Sequence, residues 1–142
     1  MRVHPSFRLN GTVYDQNTLL VAAQQWATAT DLEQKGLGIF LMDWLGDAEQ
    51  ITLQTSGSTG KPKAIQMPKT ALRASAMQTG SFFELSAGDT ALLCLPVQYI
   101  AGKMMVVRAL VLGLALDILP PTTQLTITKT YDFAALIPLQ VM

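Results

Sequence analysis

Thr55-Ser56-Gly57-Ser58-Thr59-Gly60-Lys61-Pro62-Lys63 is the stretch on which the reading of this chain turns. Its nine positions hold four hydroxyl side chains, two glycines, two lysines and one proline. An apolar-leaning run at 51–54 leads in and another at 64–67 leads out, and both read as short strands. Such a segment leaves a sheet, exposes backbone N–H groups and returns. Glycine lets the backbone take positive φ and approach a ligand closely. Successive N–H groups can then gather round an anion. Hydroxyls add neutral donors, and lysine adds a point charge suited to phosphate. The stretch is therefore expected to cradle a polyphosphate. It is not the P-loop, in which a glycine stands five residues before the second glycine and Ser or Thr follows the lysine. Here those places hold Thr55 and Pro62.

Outward from this loop the chain alternates strands and helices. Pro68 is placed to open a helix running to about residue 83. Leu72, Ala76, Met77 and Phe83 would form its inner stripe, with Lys69 and Arg73 on the solvated side. Residues 90–95 form an apolar run bounded by a turn and a proline, as expected of a buried parallel strand. A helix at about 101–112, a strand at 114–119 and a further apolar run at 131–137 follow. The pattern predicts an α/β fold, a mainly parallel sheet with flanking helices. On the other side of the loop, Asn17 could cap a helix reaching Lys35 and stopping at Gly36, with a second helix over 37–45. Trp26 and Trp44 read as core. Residues 1–16 read as a polar lead with Phe7 and Leu9 as packing points and Asn10-Gly11 as a turn.

Composition narrows the function. In 142 residues, 49% are apolar and only 14% charged, against about 25% charged in an average domain. Ten basic and ten acidic residues cancel, which argues against nucleic acid or an anionic membrane as partner. One cysteine, Cys94, permits no internal disulfide and no cysteine-cluster metal site, and its apolar neighbours mark it as a buried strand thiol. The single histidine, His4, is expected in a mobile tail, so a Ser-His-Asp hydrolase is excluded. No signal peptide is evident and the most apolar run, 104–119, is short for a membrane span. The expectation is a cytoplasmic protein with no metal-ligand cluster of its own.

Thr55 to Lys63 resembles the phosphate-binding signature of the adenylate-forming (AMP-binding) superfamily, which includes acyl-CoA synthetases, luciferases and peptide-synthetase adenylation domains. The resemblance implies that Thr55, Ser56, Gly57, Ser58, Thr59, Gly60, Lys61 and Lys63 hold the β- and γ-phosphates of ATP, with Thr59 and Lys61 acting on the leaving pyrophosphate. A second stretch, Leu95-Pro96-Val97-Gln98-Tyr99, resembles the superfamily's Leu-Pro-x-x-His segment, with Tyr99 where the histidine stands. At an ordinary pKa near 10 a tyrosine is a poor base. The attacking carboxylate is already ionised, so the change bears on positioning. Tyr99 to Met105, with Val107 to Ala109, is similar to short bacterial O-succinylbenzoate–CoA ligases of menaquinone biosynthesis. That similarity implies an ATP-dependent acyl-CoA ligase using Mg2+ and CoA, with 2-succinylbenzoate as the acid. Tyr99, Gly102 and Lys103 would border the acyl pocket, and Arg108 is a further candidate for a dicarboxylate. Another aryl, fatty or amino acid is the alternative substrate, and a non-catalytic phosphate-binding module the alternative of another class. On this resemblance residues 1–142 are the N-terminal segment of an AMP-binding domain, expected to be inactive alone. A homo-oligomer stays open.

Overall fold

Strands pairing in parallel need a crossover between them, and the chain supplies helices for it. The computed structural model describes residues 2–55, 60–122 and 124–141. In order these form β1 (Arg8–Leu9), β2 (Thr12–Val13), α1 (Gln16–Trp26), α2 (Leu32–Leu45), β3 (Gln50–Gln54) and β4 (Ala64–Pro68). There follow α3 (Lys69–Phe82), β5 (Thr90–Leu93), α4 (Ile100–Leu112), β6 (Ala115–Ile118), β7 (Phe133–Ala135) and a short α5 (Pro138–Val141). The main sheet has the order β2-β1-β6-β5-β7. β1–β6, β6–β5 and β5–β7 pair in parallel, and β1–β2 is an antiparallel hairpin. β3 and β4 form a separate antiparallel ribbon in which Gln50 faces Pro68 and Gln54 faces Ala64. The expected α/β class and mainly parallel sheet are present.

The core explains the arrangement. Ala91, Leu92 and Leu93 of β5 have no exposed surface, as a parallel strand covered on both faces requires. α4 is buried nearly all round, with Met105, Val107, Ala109 and Leu110 fully enclosed. It ends at Gly113, whose φ of 77° is left-handed and whose N–H caps Ala109 O. The amino-terminal segment is no mobile tail. Phe7 is fully buried, β1 pairs with β6, His4 N donates to Leu110 O at 3.0 Å, and His4 Nδ1 accepts from Ser6 N at 3.0 Å. A Cβ at position 113 would lie 2.3 Å from His4 Nδ1, so the imidazole is seated against that glycine.

The first helices differ from expectation. α1 starts one residue before Asn17, capped by Asp15, whose side chain accepts from Thr18 N while Thr18 Oγ1 accepts from Asp15 N. This reciprocal box outcompetes a lone Asn cap. α1 then ends at Trp26, and α2 restarts at Leu32 under a second aspartate cap, Asp31, which accepts from Gln34 N. Gly36 lies inside α2 and stops nothing. The break exists so that α1 and α2 can pack backbone to backbone. A Cβ on Gly38 would meet Ala23 O and Ala27 N, each at 2.5 Å.

In α3, Leu72 and Ala76 face inward as expected, but Met77 and Phe83 are 52% and 54% exposed. Gly80 continues the buried face instead, against the Leu112 side chain. Lys69 was expected in solvent and is 3% exposed, with Nζ donating to Gly46 O at 3.0 Å. The first turn of α3 meets the loop that leads into β3, and the flexible lysine stem fills that gap. The connection from β6 to β7 is held by Asp117, whose Oδ2 accepts from Tyr131 Oη at 2.8 Å and from Lys129 Nζ at 2.6 Å. Partial burial opposes ionisation of Asp117, yet the bonds from Lys129 and Tyr131 hold its pKa below the usual value. Burial and the bond to Asp117 push the Tyr131 phenol up to about 12.

Two outcomes follow. Gly38→Ala is expected to destabilise the chain by about 3 kcal/mol through overpacking. Gly36→Ala, which meets nothing within 4 Å, should stabilise it by about 0.5 kcal/mol. Urea denaturation of both variants tests this pair. For Tyr131, the folded pKa lies above the unfolded value of 10.0. Its contribution is therefore full below pH 10 and is lost as pH rises through about 12. Titration of tyrosinate absorbance should show one step near pH 12 that Tyr131→Phe removes.

Candidate functional site

Two stretches singled out in the sequence occupy different places in the fold. The first sits on the β3–β4 ribbon. Ile51 and Leu53 alternate into the core at 4% and 1% exposure, which anchors β3 by one face. Thr52 and Gln54 lie on the other side, which explains a lead-in more polar than a fully buried strand. Both flanking runs are strands as expected, and they pair with each other and not with the main sheet. Across the mouth of the loop Thr55 N donates to Lys63 O at 3.0 Å, and Lys63 N donates back to Thr55 Oγ1 at 3.2 Å. The excursion from 56 to 62 is thus closed at its base. Ser56, Gly57, Ser58 and Thr59 lie outside the described residues. Gly60 has a φ of 99° with open space around it, so the backbone conformation and not crowding calls for glycine there. Lys61 and Lys63 are exposed.

The second stretch follows β5. Cys94 and Leu95 stay buried beyond the strand's end, and burial pushes the Cys94 thiol pKa up. The chain then turns through Pro96 to Gln98 and enters α4, with Tyr99 as the half-buried residue before the first turn. Tyr99 N donates to Pro96 O at 3.4 Å, and Tyr99 O accepts from Lys103 N at 3.1 Å. Gly102 is buried against this turn. A Cβ there would stand 2.2 Å from Pro96 O and 3.0 Å from Val97 Cα. Lys103 points back at the same turn, its Nζ donating to Val97 O at 2.7 Å and Gln98 O at 2.8 Å. The ammonium also lies 5.7 Å from the centre of the Phe40 ring. Burial lowers the Lys103 pKa, and Asp43 opposes the shift. Tyr99, Gly102 and Lys103 are therefore brought together, the last two bracing the turn that presents the first. Arg108, one turn further on, is half-buried with its guanidinium 5.9 Å from the Phe133 ring centre. Its Nη1 is 3.5 Å from Met105 Sδ, and Nε has no hydrogen-bond partner among the described residues. Burial lowers its pKa.

A cavity of about 400 Å3 that the sequence did not announce opens beside this turn. Its walls include Leu9, Trp26, Leu37 and Ile118, with Asp31 and Glu33 on the polar side. It lies at the carboxyl ends of β1 and β6, where open α/β sheets place ligands. Glu33 reaches out of α2 so that its Oε2 accepts from Val97 N at 3.3 Å. The acidic first turn of α2 was the available signal, but its meeting with Val97 depends on contacts 64 residues apart.

Residues 46–137 match the family model described as AMP-binding enzyme. Among solved structures, the chain is similar to an acyl-CoA synthetase (AMP-forming)/AMP-acid ligase II-like protein from Dyadobacter fermentans. The two are 36% identical with a TM-score of 0.74, over 85% of this chain and 35% of that one. The present chain thus spans about a third of that protein's length. The N-terminal domain of FACL13 from Mycobacterium tuberculosis is 26% identical over 54% of this chain and 20% of its own, with a TM-score of 0.47. The o-succinylbenzoate CoA synthetase of Bacillus subtilis is 23% identical over 60% of this chain and 25% of its own, with a TM-score of 0.45. A search of the curated proteins gave no match.

The contact at Gly102 makes a direct test of the second stretch. Gly102→Ala is expected to push the Pro96–Val97 backbone away and to cost about 3 kcal/mol in urea unfolding. Gly60→Ala, strained in φ but not in space, should cost only about 1 kcal/mol.

Proposed function

The chain belongs to the AMP-binding enzyme family, and from that premise we propose that it is the nucleotide-holding front part of an ATP-dependent acyl-CoA ligase. In this reading the carboxylate of an acid attacks the α-phosphorus of ATP. A P–O bond forms, the bond to the β-phosphate breaks, and pyrophosphate leaves. The thiol of CoA then attacks the acyl carbonyl and AMP departs, leaving the thioester.

The observation that supports this reading best is the closed base of the 55–63 loop, Thr55 and Lys63 exchanging two hydrogen bonds. Those two bonds close the neck of the loop with Thr55 and Lys63 themselves. Thr55 to Gly60, with Lys61 and Lys63, would then take the β- and γ-phosphates. Thr59 and Lys61 would stabilise the charge that collects on pyrophosphate as it leaves. Tyr99 would border the acyl group, with Gly102 and Lys103 holding the turn that carries it. Among the described residues no group of three His, Cys, Asp or Glu side chains is placed to hold a metal. Magnesium enters this reading only as the ion that accompanies ATP.

For the acid we propose 2-succinylbenzoate, in menaquinone biosynthesis. The support is the stretch from Tyr99 to Ala109, which is similar to short bacterial ligases for that acid. We propose the cytoplasm, where ATP and CoA are both available, as its location; among the described residues no helix is long and apolar enough to cross a membrane.

The test is a coupled pyrophosphate-release assay on the whole gene product, across aryl, fatty, amino and dicarboxylic acids. Activity with 2-succinylbenzoate well above the others is expected. Lys61→Ala and Thr59→Ala should each lower kcat/KM for ATP by about 100-fold with unchanged circular dichroism. Unchanged kinetics in both variants would overturn the phosphate assignment.

A further inference from the structure

The turn between β5 and α4 is gripped from two sides by charged side chains, neither of which has an ion-pair partner among the described residues. From α2, Glu33 takes the N–H of Val97. From α4, Lys103 gives two of its three protons to the carbonyls of Val97 and Gln98. We propose that Glu33 and Lys103 are a pair of positioning residues that clamp the Pro96–Gln98 turn and so fix where Tyr99 meets the acyl group.

The physical case rests on what the turn lacks. Residues 96–98 belong to no strand or helix, so their peptide groups have no ladder to join. Val97 is 2% exposed, and a buried peptide group without a partner costs about as much as a lost hydrogen bond. Glu33 and Lys103 satisfy Val97 completely, one on its N–H and the other on its C=O. The glycine next to Lys103 makes this reach available. With no Cβ at Gly102, α4 comes close enough to the Pro96 carbonyl for the Lys103 side chain to fold back onto the turn. Two of the ammonium's protons thus go to carbonyls, with the Phe40 ring beside it. In this proposal it acts on substrate through the turn and not as a counter-charge. Glu33 in turn is held by the first turn of α2, under the Asp31 cap. The clamp joins two helices to one turn with no ion pair between its two ends.

This inference rests on the ligase reading only for the role of Tyr99; the clamp itself stands on the chain's own geometry, and the two are tested apart. Amide hydrogen exchange is measured on this 142-residue chain. Glu33→Ala is expected to speed exchange at Val97 by about tenfold, the equivalent of one hydrogen bond. Glu33→Gln, which keeps an acceptor oxygen, should restore protection to within about twofold. Exchange at Val97 that is the same in all three proteins would overturn the clamp whatever the enzyme does. In the whole gene product, Lys103→Met should raise KM for the acid by about tenfold and leave KM for ATP within about twofold. Because the lysine acts through the turn, the rise should be equal for mono- and dicarboxylic acids. A loss confined to dicarboxylates would overturn the positioning role and make Lys103 a substrate ligand. Should Lys103→Met fail to fold, the same comparison of acids is made with Lys103→Gln, which keeps one donor group. Absence of acyl-adenylate formation in the wild-type protein would sink the ligase reading alone, since the exchange measurement still decides the clamp.

Discussion

Parallel pairing of β5 with β6 is the constraint from which the rest follows. Two parallel neighbours cannot be joined by a tight turn, so the chain must leave β5 at one end of the sheet and return to the start of β6 at the other. α4 makes that return, and both its partners enclose it. Once β5 and α4 are buried nearly all round, the segment between them has little freedom. It must turn sharply, in contact with the core, while its peptide groups find partners off the sheet. Gly102 supplies the room, and Lys103 and Glu33 supply the partners. The site is thus a consequence of where the sheet ends and not an addition to it.

The phosphate-loop candidate is built on the opposite plan. β3 and β4 pair only with each other, and β4 is exposed along most of its length. What fixes this ribbon is one face of β3, through Ile51 and Leu53, and the passage of β4 into α3 with Lys69 buried beneath it. One half of the candidate site is therefore carried by the densest part of the molecule and the other by its most open part. That contrast suits a protein in which one group must be held in a fixed place and another must be admitted.

Much of this was readable from residue types. The strands that flank the hydroxyl- and glycine-rich loop, the apolar run of β5 and the proline ahead of α3 are local signals, and each lies where local chemistry predicts. The failures are equally physical. A lone Asn17 looked like a cap, but Asp15 with Thr18 offers two reciprocal bonds in place of one. Gly36 looked like a stop, yet the signal that mattered was Gly38, whose role depends on a neighbouring helix. Lys69 and His4 looked solvated or loose because their partners, Gly46 O and Leu110 O, are far away in sequence. That the Lys103 ammonium faces the carbonyls of Val97 and Gln98 is likewise visible only in the fold. The cavity beside Val97 needed β1 to find β6 across more than a hundred residues, which no window of sequence can show.

The lone thiol carries a practical corollary. Thiol oxidation and alkylation proceed through the thiolate, and Cys94 sits with no exposed surface in surroundings that favour its protonated form. At neutral pH the chain therefore behaves as if it had no cysteine at all: covalent dimers should not accumulate in air. A single new cysteine placed on the outer side of the β3–β4 ribbon would be the one position to take up a fluorescent or spin label.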